Sequence, residues 1–150
     1  METKKITAVM ILEIIGKPAE HLVATLEEII KELGNEKDVQ INNKKINEPK
    51  ELKDRKEFFT TFAEIEVEVE EASQLAMLMF KYMPAHVEVV SPESIVLTNN
   101  DYGDILSELT RRLHKYDEVA RVVQMEKDIL EKKLKDILEK KLKDILEKKG

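Results

Sequence analysis

Four glutamates at alternate positions, Glu64, Glu66, Glu68 and Glu70, form the densest group of chemically capable side chains in this sequence. On an extended strand they share one face, where carboxylates can hold a hard cation or meet a basic partner. Carboxylates two apart on a strand stand about 7 Å from each other and do not converge on one ion without a neighbouring strand. The spacing therefore predicts a solvated acidic face. His86 and Glu88 would also share a face of a strand, yet a lone imidazole and carboxylate are a weak signal for proton transfer or metal binding. Gly16-Lys17-Pro18 stands at a strand-to-helix turn, where backbone N–H groups can receive an anion. It lacks the glycine spacing and the Lys-Ser/Thr pair of a phosphate loop, so it reads first as a turn and second as a small-ligand site at Gly16 and Lys17. No Ser, Thr or Lys has a base and an orienting group arranged around it. The residues predict no catalytic centre, no metal ligands and no cofactor.

Those side chains must be positioned by elements, and composition bounds what the elements can be. The chain has 150 residues, 37% of them charged, with no Cys and no Trp. Without cysteine neither a disulfide framework nor a thiolate metal site exists, which suits a reducing, cytoplasmic setting, and the charge content suits a thermophile. Met1-Glu-Thr-Lys-Lys before Ile6 to Ile15 imitates a secretory leader, but Glu13 interrupts the run and Gly16-Lys17-Pro18 replaces a small-residue cleavage site. No apolar stretch approaches the roughly 20 residues of a membrane span, so no membrane role is expected. The stretch Lys127 to Lys149 carries nine Lys against six Asp or Glu, hence +3, and leaves −9 on the remainder of a chain whose net charge is −6. An acidic body argues against nucleic acid as a partner, because phosphate neutralisation needs a concentrated basic surface.

Ile6 to Ile15 is apolar at nearly every position and rich in β-branched residues, the mark of a central strand covered on both faces. Leu22, Val23, Leu26, Ile29, Ile30 and Leu33 then fall on one helical stripe from Ala19 to Leu33, with Gly34 as the expected stop. Val39 to about Ile46 reads as a second strand, Asn47 to Glu57 as an exposed hairpin connection, and Phe59 to Val69 as a strictly alternating third strand. Ala72 to Met83 is a second helix, with its methionines and aromatics as core filler, and His86 to Val90 and Ile95 to Thr98 are further strand candidates. Handedness of the crossovers closes a βαββαβ order into an α+β, ferredoxin-like sandwich with strand order 4-1-3-2, over residues 1–98. Its second sheet face is left over. A partner subunit or the C-terminal helix is expected to cover it.

Asn99, Asn100 and Asp101 form an N-cap cluster for a long C-terminal helix over residues 99–150. Along it Tyr102, Leu106, Leu109, Leu113, Tyr116, Ala120 and Val123 recur at 4-3 spacing, the seam of a coiled coil and the expected self-association surface. An octad, Lys127 to Leu134, repeats at Lys135 to Leu142 and, less its last Leu, at Lys143 to Lys149. Eight residues at 3.6 per turn rotate the Ile-Leu stripe by about 80° per repeat, so the octads are expected to be solvated helix supported by pairs such as Asp128 with Lys132 and Glu139 with Lys143.

The βαββαβ order with an apolar first strand ending in Gly16-Lys17-Pro18-Ala19 resembles ACT-like regulatory domains. That resemblance implies small-effector binding at the Gly16 and Lys17 turn and pairing of subunits. Phe58 to Leu97, with Tyr82-Met-Pro-Ala-His-Val-Glu-Val-Val-Ser-Pro-Glu, also looks like small archaeal proteins of uncharacterised activity. The expected function is a non-enzymatic, homo-oligomeric regulatory or scaffolding module that presents a helical arm to a protein partner, with a ligand-sensing ACT-like domain as the alternative. The glutamate row is expected to be dispensable for folding. Changing Glu66 and Glu68 to Gln should leave the fold intact and relieve repulsion along the strand by a few tenths of a kcal/mol. Chemical denaturation of the double variant measures this, and a loss of several kcal/mol would point to a buried ion-pair network or a metal.

Overall fold

The computed structural model describes residues 4–150, so Met1, Glu2 and Thr3 of the leader-like start lie outside the described residues. The elements run β1 (Ile6–Gly16), α1 (Ala19–Gly34), β2 (Val39–Ile46), β3 (Lys50–Glu51), β4 (Phe59–Val69), α2 (Ala72–Tyr82), β5 (His86–Ser91) and α3 (Asn99–Lys148). Every strand pair is antiparallel, the sheet order is β2-β4-β1-β5, and β3 adds to the edge of β4. This is the α+β arrangement and strand order expected from the sequence, with the two-residue β3 as an addition inside the 47–57 connection. The chain divides into two compact units at Ile105 and Leu106.

Why β1 is central follows from its pairing. It matches β4 over its whole length, Ile6 opposite Val69 through Gly16 opposite Phe59, and β5 takes its other edge. Alternate residues of the two long strands, among them Ala8, Met10, Ile65 and Val67, point to one face and are fully buried there. Leu26, Ile30 and Leu33 of α1 and Leu75 and Leu78 of α2 close over them in one cluster. Truncating one of these, such as Leu26 at 0% exposure, removes both transfer energy and packing, a loss on the order of 2–5 kcal/mol. The helices lie on that face because their apolar stripes have nowhere else to be covered.

Several local expectations change. Residues 95–98 form no strand: Pro92 has no N–H to continue the β5 ladder, and Thr98 is committed to starting α3. Asp101 N–H donates to the Thr98 hydroxyl at 3.1 Å and Tyr102 N–H to the Thr98 carbonyl at 3.0 Å. Thr98 is thus the cap, and the expected cap residues Asn99 to Asp101 are already helical. Start signals for α2 come from Gln74, whose side-chain oxygen accepts from the N–H groups of Glu70 and Glu71 at 3.0 and 2.9 Å.

Gly34 ends α1 as expected but for a different reason. Its φ is not positive, and the left-handed residue of that turn is Asp38 at φ 57°. A Cβ at Gly34 would sit 3.2 Å from Ile41 Cδ1, so the glycine allows β2 to approach the helix. Gly103, in the first turns of α3, has nothing within 4 Å of an added Cβ. Gly34→Val should therefore destabilise the protein by about 1–3 kcal/mol through overpacking, whereas Gly103→Ala should stabilise it by about 0.5–1 kcal/mol. Thermal and chemical denaturation of the two variants would show opposite signs.

Candidate functional site

Because side chains alternate along each strand, the residues not used in the core form a second, open face. Cross-strand register lines them up in rows. Glu66 lies opposite Val9, which lies opposite Glu88, and Glu64 lies opposite Ile11, which lies opposite His86. On the far side of β4, Asn43 faces Glu66 and Lys45 faces Glu64. Along β1 this face carries Val9 and Ile11, with Glu66 and Glu64 on the β4 side and Glu88 and His86 on the β5 side, and the carboxylate of Glu13 stands between Ile11 and Ile15. Val9 and Ile11 are half-buried, and Ile15 is 61% exposed.

The four expected glutamates do not behave alike. Glu68 is held by Lys5 Nζ at 2.8 Å and by the Asn42 amide, which a bulge between Ile41 and Asn43 frees from pairing, at 3.4 Å. Hydrogen bonds from Lys5 and then Asn42 hold its carboxyl below the usual range, and Lys5 is raised in turn by the same contact. Glu64, Glu66 and Glu88 have no ion pair among the described residues. His86 and Glu88 are kept from the Glu64 and Glu66 row by the width of β1, roughly 10 Å across two strand spacings. Among the described residues no group of three or more His, Asp or Glu converges as a metal site would require.

At the ligand-binding candidate, Gly16 is pressed against α1, where a Cβ would lie 3.1 Å from Leu22 Cδ2. Lys17 reaches across the 47–57 connection to Glu57 at 3.6 Å and lies 5.1 Å from the centre of the Phe58 ring. The lysine thus ties a loop to the turn, through contacts that exposure keeps weak.

The expected self-association residues are all displayed on α3. Tyr102, Leu106, Leu109, Leu113, Tyr116 and Val123 are exposed, from 38% at Leu109 to 58% at Leu113, and no described residue of this 50-residue helix is buried. Beside the seam Glu108 holds Arg112 at 2.8 Å and also Arg111, which lowers the Glu108 pKa, first through the Arg112 hydrogen bond. Asp117 holds Arg121 at 2.9 Å. The acid-before-base pairs expected in the octads do not close within 4 Å. The one octad pair that forms is Lys127 with Glu131 at 3.8 Å. Long, solvated side chains gain too little from such contacts to give up their freedom.

Sequence reasoning missed two features. Glu36, just past α1, accepts hydrogen bonds from Lys81 and from the Tyr82 hydroxyl, the latter at 2.7 Å, and so links the ends of both helices. No local pattern announces a contact 45 residues apart. The second is a groove of about 470 Å³ at the start of α2, with Ile6, Ser73, Ser94 and Leu97 in its wall. Its outer side is the irregular segment that was expected to be a strand.

Fold and surface together define an α+β antiparallel-sheet domain that continues into a long helix with an exposed apolar seam. Residues 7–148 match the MJ0538 family, and the chain belongs to it. That family is uncharacterised and has an archaeal name, in agreement with the archaeal resemblance seen in Phe58 to Leu97. No curated protein and no solved structure matches the chain. No helix among the described residues is long and apolar enough to cross a membrane.

The helix link gives a pH dependence of definite sign. Hydrogen bonds from Lys81 and then Tyr82 lower the Glu36 pKa below its ordinary 4.5. A lowered folded-state pKa means the contribution is present above the unfolded value and lost as pH falls through the folded one. Glu36→Gln should therefore reduce stability at pH 7, with the difference from wild type closing as pH falls below the ordinary 4.5 and through the lowered folded-state value. Denaturant midpoints at pH 7 and pH 3 test the sign.

Proposed function

We infer that this chain is a non-enzymatic, self-associating module which assembles through the apolar seam of α3 and presents the remainder of its arm to a protein partner. One observation carries the reading: Leu106, Leu109 and Leu113 recur at coiled-coil spacing on a helix where they are exposed in the single chain. At 1.5 Å per residue the helix is about 75 Å long. Its local ion pairs are worth a few tenths of a kcal/mol each, so a stripe of exposed leucine and isoleucine is what remains to hold it against other helices. Fully burying one such side chain gives about 1.5–3 kcal/mol. A few rows of the seam exceed everything the surface charges supply. Ligand sensing at Gly16 and Lys17, as in ACT-like domains, draws no comparable support, since Lys17 is engaged by Glu57 and Phe58.

Leu109→Asp combined with Leu113→Asp should reduce the light-scattering mass to that of one chain, because charge then replaces apolar contact in two adjacent rows. The α+β unit has its own core, so circular dichroism should still report a folded sheet. An unchanged mass, or a wild type that is already monomeric, would sink the reading.

A further inference from the structure

The open face of the sheet has a counterpart in the octads. Val9 is an apolar side chain with a carboxylate on either side, Glu66 on β4 and Glu88 on β5. In the octads Leu134 stands between Lys133 and Lys135, and Leu142 between Lys141 and Lys143, so each is an apolar side chain with an ammonium on either side. Spacing agrees as well. Residues two apart on a strand are about 7 Å apart and residues four apart on a helix about 6 Å. Thr7 to Ile15 extends about 26 Å along β1, and Leu130 to Leu146 about 24 Å along α3.

We propose that the open face of the sheet receives the lysine-rich octads of a second copy of this chain, with the two arms antiparallel. This rests on the self-association reading above. Antiparallel pairing of the seams sets Tyr102 of one copy level with Val123 of the other. Lys127 then falls level with Thr98 of the second copy, so the octads run on past the start of its α3. Charge selects this arrangement. Parallel arms set +3 against +3, and two sheets packed face to face set Glu64 and Glu66 against the same carboxylates. Antiparallel arms instead separate the two +3 octad segments and direct each toward the acidic remainder, −9, of the other copy. The helix is unbroken from Asn99 to Lys148 and contains no proline. Val9, Ile11 and the octad leucines would cover one another, and Glu66 and Glu88 would gain the cations that no described residue supplies.

The chain has no cysteine, so single-cysteine variants report single positions. Val9→Cys mixed with Leu134→Cys or with Leu142→Cys and treated with a short bis-maleimide should give a two-chain adduct. It should form on the order of tenfold faster than in either variant alone, and high salt should slow it. A dimeric mass with no mixed adduct, or with adducts only between like variants, overturns the proposal while the self-association reading stands. So does an adduct confined to one chain in the Val9→Cys, Leu142→Cys double variant. A monomeric mass overturns the self-association reading itself. Independently, Glu64→Lys with Glu66→Lys should weaken association on the order of tenfold, and Lys133→Glu with Lys135→Glu should restore it. Failure to restore it with the sheet folded by circular dichroism overturns the proposal, and if the reversed sheet does not fold the cysteine adducts decide.

Discussion

The central strand β1 carries apolar residues on both of its faces, and a sheet with helices on one side can bury only one of them. This constraint governs the rest of the molecule. It sets β1 between β4 and β5, where its backbone is paired on both edges, and puts Ala8, Met10 and Leu12 under the helices. It also leaves Val9, Ile11 and Ile15 facing outward. The neighbouring strands set Glu64, Glu66 and Glu88 beside Val9 and Ile11.

The arm poses the same problem in another geometry. Heptads over Tyr102 to Val123 drift by about 20° per repeat one way on a straight helix, and each octad rotates the stripe about 80° the other way. Four heptad steps and one octad step therefore cancel. On a straight helix Leu138 and Ile145 return to the side of Tyr102 and Leu109, and both are exposed there. Among the described residues the octad charges close a single pair within 4 Å, Lys127 with Glu131.

Electrostatics within the α+β unit divides into charges already used and charges that are not. Glu36 with Lys81 and Tyr82, and Glu68 with Lys5 and Asn42, are closed contacts that join distant segments, and each shifts its carboxyl downward for that reason. Glu64, Glu66 and Glu88 are not closed. Their mutual repulsion across the face is modest in water.

The period-two alternation of Phe59 to Val69, the period-3.6 stripe of Ala19 to Leu33 and the glycine and proline punctuation between them determined the elements and, through crossover handedness, their order in the sheet. These signals are local, because burial of one face repeats at the spacing of the backbone itself. The 4-3 recurrence of apolar residues along α3 is likewise read from the sequence alone. What tertiary structure decided depends on which atoms are brought together across long separations. Gly34 is a glycine because Ile41 arrives beside it, and Thr98 caps α3 because the chain after Pro92 has no ladder to continue. Glu68 differs from Glu66 only because Lys5 and a bulged Asn42 fall within its reach. Residue type and spacing are identical along that row, so only the register of β2 and β1 against β4 separates the occupied carboxylate from the open ones.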